Sequence, residues 1–144
     1  MNSVAFGKRS DRFATLTSSG SLSIWDLSDY SRVCNLHDKN MGSFVQFDIL
    51  DDNAVLTGGY DGSLRCFDIG QVKERWLIDQ AVRGSATALA QHERLFAIGG
   101  NHSGSILLWD RKVRNLDILY FWKKREKYVI LHAFVCICVF SSHA

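Results

Sequence analysis

An all-β fold of three stacked, four-stranded antiparallel units is predicted for this 144-residue chain by three observations. An aromatic–aspartate pair recurs at a fixed interval, as Trp25-Asp26, Phe67-Asp68 and Trp109-Asp110, each 42 residues from the next. A glycine, a serine and an aliphatic residue precede every pair in phase: Gly20-Ser21-Leu22, Gly62-Ser63-Leu64 and Gly104-Ser105-Ile106. The apolar segments between these markers are too short for ordinary helices and are bounded by glycine turns. A repeat of this length marks one supersecondary unit, which buries its apolar faces only against its neighbours. The chain therefore points to a surface rather than to a catalytic pocket.

Each unit is justified strand by strand. An alternating segment comes first: Val4-Ala5-Phe6, Phe44-Val45-Gln46-Phe47 or Thr87-Ala88-Leu89. A small, apolar segment then enters the glycine hairpin, as Phe13-Ala14-Thr15-Leu16, Val55-Leu56-Thr57-Gly58-Gly59 or Phe96-Ala97-Ile98-Gly99-Gly100. In the third strand successive side chains point to opposite faces. Leu22 and Ile24, Leu64 and Cys66, Ile106 and Leu108 share one face, and Trp25, Phe67 and Trp109 take the other. Both faces are apolar, so both must be covered. A fourth strand follows the aspartate at Arg32-Val33-Cys34-Asn35-Leu36 and at Lys73-Glu74-Arg75-Trp76-Leu77-Ile78.

Four short strands per unit, the 42-residue period and the terminal aromatic–aspartate pair resemble the WD-repeat family of β-propellers over roughly residues 1–111. The resemblance implies a partial propeller of three blades. It also implies a polar tetrad joining a Gly-His, a hairpin aspartate, a serine or threonine and the tryptophan. This chain never assembles that full set. Asp61 holds the hairpin position in the middle blade beside Phe67, which has no N–H to donate, while Ser19 and Ser103 hold it beside Trp25 and Trp109. No Gly-His occurs; His37 and Arg83-Gly84 stand nearest its place. Apolar stacking is thus expected to hold the blades, with Trp25, Phe67 and Trp109 in the core and Trp109→Ala costing about 3–5 kcal/mol.

Three blades are fewer than the roughly 4–8 that close a ring. The reading is a fragment, a truncated product or an early-stopping isoform, whose two raw faces predict self-association, completion by another chain, or degradation. After Arg111 the pattern dissolves. All 11 glycines lie at or before Gly104, and residues 112–144 carry a charge of +4 against −2 for residues 1–111. The tail ends in a 13-residue apolar run, Tyr128 to Phe140, short of the roughly 20 residues that span a membrane. It reads as an atypical segment outside the propeller. A shallow anchor assisted by Lys123-Lys124-Arg125 is the alternative.

Catalysis finds no foothold in the pattern. The glycine-rich turns at Gly58–Gly62 and Gly99–Gly104 each lead into another strand, whereas a phosphate loop leads into a helix N-terminus. His37, His92, His102, His132 and His143 are scattered without a repeated partner, and no serine or cysteine stands in a nucleophile elbow. Cys136-Ile137-Cys138 has one intervening residue, fewer than common zinc sites, so neither metal nor cofactor is expected. The slightly acidic repeats argue against nucleic acid. Met1-Asn2-Ser3 leads straight into the repeats, so a cytoplasmic location is expected.

The expected function is a protein–protein interaction scaffold, with partners meeting the loops at one end of the stack as the resemblance implies. Candidate contacts are Lys39, Asn40, Tyr60, Asp61, Arg83, Asn101 and His102. Within the family, the divergent blades are faintly similar to ciliary and flagellar WD-repeat proteins, which would make tubulin or axonemal proteins the partners. A subunit of a ubiquitin-ligase, trafficking or signalling complex is the other scaffold reading, and a membrane-associated product the third.

Overall fold

The computed structural model describes residues 2–8, 11–93, 95–102, 106–111 and 120–121, and all regular elements among them are strands. Twelve strands form three separate antiparallel meanders. Blade 1 contains β1 (Ser3–Phe6), β2 (Arg12–Leu16), β3 (Ser21–Asp26) and β4 (Arg32–His37). Blade 2 contains β5 (Met41–Phe47), β6 (Ala54–Gly59), β7 (Leu64–Asp68) and β8 (Lys73–Ile78). Blade 3 contains β9 (Ala86–Gln91), β10 (Leu95–Gly100), β11 (Ile106–Asp110) and the two-residue β12 (Tyr120–Phe121), which the sequence assigned to the tail.

The strand ladders reproduce the sequence period. Phe13 faces Trp25 across β2 and β3, Val55 faces Phe67 across β6 and β7, and Phe96 faces Trp109 across β10 and β11. A register shift falls at the same step in two blades, between Ile24 and Trp25 and between Cys66 and Phe67, where the outer strand meets the third. Such a bulge adds local twist, which lets one blade wrap against the next.

The blades stack through two cores, because alternate residues of blade 2 serve opposite neighbours. Ala14, Leu16, Leu22 and Ile24 of blade 1 meet Met41, Val45, Phe47, Val55, Phe67 and Ile69. Phe44, Ala54, Leu56, Leu64, Cys66 and Ile78, on the far side of blade 2, meet Leu89, Phe96, Ile98 and Leu107 of blade 3. The inner strands β1, β5 and β9 lie side by side, and the outer strands β4 and β8 are largely exposed.

Burial corrects the expectation for the signature aromatics. Phe67 is core, but Trp25 and Trp109 are half-buried. Trp25 lies on the face of blade 1 turned away from blade 2, stacked on Phe13 at 6.2 Å, and Trp109 packs on the rim of the second core. Position in the stack, invisible to the repeat itself, accounts for Trp25, whereas Trp109 faces blade 2 as Phe67 faces blade 1 and is half-buried all the same. Cys66 is buried as expected, whereas Cys34 is half-buried on an outer strand.

One limb of the polar tetrad does form. Trp25 Nε1 donates to Thr15 Oγ1 at 2.9 Å. The equivalent hydroxyl in blade 2, Thr57 Oγ1, is fully buried and without a partner, because Phe67 replaces the indole. In blade 3 Ile98 takes the threonine's place opposite the Trp109 strand. Ser103, Gly104 and Ser105, and the anchor proposed within residues 112–144, lie outside the described residues save for Tyr120 and Phe121.

Candidate interaction surface

The meander topology brings the glycine hairpins and the linkers between blades to one rim. Residues 17–20, 60–63 and 101–102 come from hairpins, and 38–40 and 79–85 from linkers. Gly20 and Gly62 sit at φ of 93° and 82°, and a side chain at either would collide with the linker that leads to the next blade. The close approach is used for bonding: Asp38 N donates to Gly20 O at 3.0 Å, and Val82 N to Gly62 O at 3.2 Å. The rim is therefore a continuous hydrogen-bonded edge.

All seven sequence candidates fall on this rim. Tyr60 bridges blades: its hydroxyl donates to Ser18 O at 2.9 Å and lies 3.2 Å from Gly42 O, while its amide donates to Asn40 O at 2.8 Å. Asn101 repeats the pattern one blade on, donating its amide to Ser85 O at 3.1 Å and accepting from Ser85 N at 3.0 Å. Ser85 Oγ closes the chain onto Tyr60 O at 3.2 Å. Lys39, Arg83 and His102 are exposed on this fixed backbone.

Asp61 anchors the electrostatics of the rim. Its Oδ1 accepts from Ser63 Oγ at 2.5 Å and from Ser63 N at 3.1 Å. Partial burial works against its charge, yet the two Ser63 bonds and the neighbouring Arg65 hold its carboxyl below the usual value. Arg65, mostly buried, bridges Asp61 at 3.6 Å and pairs closely with Asp38 of the preceding linker. This triad clamps the hairpin of blade 2 to the linker that precedes it.

The signature aspartates Asp26, Asp68 and Asp110 end their strands at the opposite rim. Asp26 Oδ1 accepts from Ser28 N at 2.8 Å and Ser28 Oγ at 2.6 Å, which lowers its pKa. Asp68 accepts from Gln71 N at 2.9 Å and from Arg75, which also reaches Asp51 at 2.8 Å. These bonds hold both carboxyls, and that of Asp51, below their usual values. Asp110 is buried. Asp26 and Asp68 thus brace the turns that follow their strands.

Sequence reasoning missed what this second rim displays. Tyr30 and Val72, 42 residues apart, adopt φ of 58° and 53° in equivalent turns and are both exposed, Tyr30 by 72%. A left-handed conformation costs a non-glycine residue roughly 1–2 kcal/mol. Their spacing was a readable signal, but neither residue type announces that conformation. Cys66 offers no nucleophile, since burial pushes its thiol pKa up to about 12.

No protein-family model matches the chain. It is similar to the GATOR2 complex protein Wdr24 of Drosophila melanogaster, with 35% identity over 65 residues. The match covers 42% of this chain and 8% of that protein, so the chain spans a small fraction of its relative's length.

Proposed function

We propose that this chain is a non-catalytic scaffold of the WD-repeat type whose hairpin rim docks other proteins. The observation that carries the reading is the bridged rim, where Tyr60 and Asn101 tie successive hairpins together beneath exposed Lys39, Arg83 and His102. A preordered backbone lowers the ordering cost of binding, and tyrosine and arginine are the residue types that anchor interfaces most often. The relative's name places it in a complex, which supports a protein as the partner class. The tubulin, axonemal and membrane readings draw no support from the relative, and no described helix is long and apolar enough to cross a membrane.

Affinity capture from native extract tests the proposal. The unaltered chain, Arg83→Glu with Lys39→Glu on the hairpin rim, and Tyr30→Ser on the opposite rim would be compared by quantitative mass spectrometry. Partners lost only from the hairpin-rim variant are expected. Partners lost only with Tyr30→Ser would move the docking site to the other end and overturn the assignment.

A further inference from the structure

We draw no further inference here: the strongest candidate, the groove between the outer strand β8 of blade 2 and Phe96, Trp109 and Arg111 of blade 3, is bounded where the described residues end, and nothing in the structure shows what covers it.

Discussion

The two seams between blades are built on the same ladder positions yet close in different ways. At the lower end of the first seam stands Ile69, buried among Val55, Phe67 and the side chains of blade 1. One blade later the same position, one residue past the signature aspartate, is Arg111. Its guanidinium lies 4.0 Å from the centroid of the Phe96 ring, pairs with Asp48 Oδ1 at 2.8 Å, and donates to Gln91 Oε1 and His92 O at 3.1 Å. Gln91 in turn donates to Gln46 Oε1 at 2.9 Å and Phe47 O at 2.8 Å. The first seam is packed and crossed by exposed bonds, Arg12 to Asn53 Oδ1 at 3.1 Å and the Tyr60 hydroxyl to Ser18 O at 2.9 Å, whereas the second adds a largely buried, ion-paired latch. A repeat fixes the backbone frame and leaves each seam free to choose its adhesive.

Truncating the first seam gives the largest expected effect. Phe67→Ala should lower stability by about 3–5 kcal/mol, as expected for a buried aromatic. Trp25→Ala, half-buried on the face turned away from blade 2, should cost about 1–2 kcal/mol. Urea denaturation compares them, and equal losses would erase the distinction between seam and far face.

The latch comes next. A double-mutant cycle pairing Arg111→Ile with Asp48→Asn should show a coupling of about 1–3 kcal/mol, since both side chains are largely buried. Coupling near zero would reduce the latch to a surface ion pair. Thr57→Val reports on the first seam in the opposite sense. It removes a buried hydroxyl with no partner, and the denaturation midpoint should rise by an increment equivalent to about 1 kcal/mol.

Acid is expected to act more weakly, and with a definite sign. Asp51, Asp61 and Asp68 have folded pKa values held below the usual carboxylate value. Their contribution is therefore complete above the unfolded value of about 3.9 and is lost as pH falls through the lowered ones. Thermal scans between neutral pH and pH 2 should show this loss. Asp61→Asn, at the clamp beside the first seam, should make the curve shallower; an unchanged curve would remove Asp61 from the account.

Much of the fold was legible because it follows from periodicity. Leu64 and Cys66 against Phe67 could be assigned to opposite faces from alternation alone, and the coordinates place them in the two separate cores. The hairpin rim was legible in position but not in its bonds. Tyr60 could be recognised as an exposed turn residue, yet its hydroxyl reaches a backbone carbonyl of Ser18, 42 residues away, and carbonyls carry no sequence signal. The Trp25–Thr15 bond needed the strand pairing that sets Thr15 across from its neighbours.

By itself the sequence determined the unit: four strands, the glycine hairpin, the face each side chain takes, and the count of three. Those properties depend on alternation and turn chemistry, which act over a few residues. Only the tertiary structure decided which aromatic is covered, where Arg111 finds Asp48, and which hydroxyl is left without a donor. Those outcomes depend on what the neighbouring blade presents, and identical repeat positions acquire different surroundings once they are stacked.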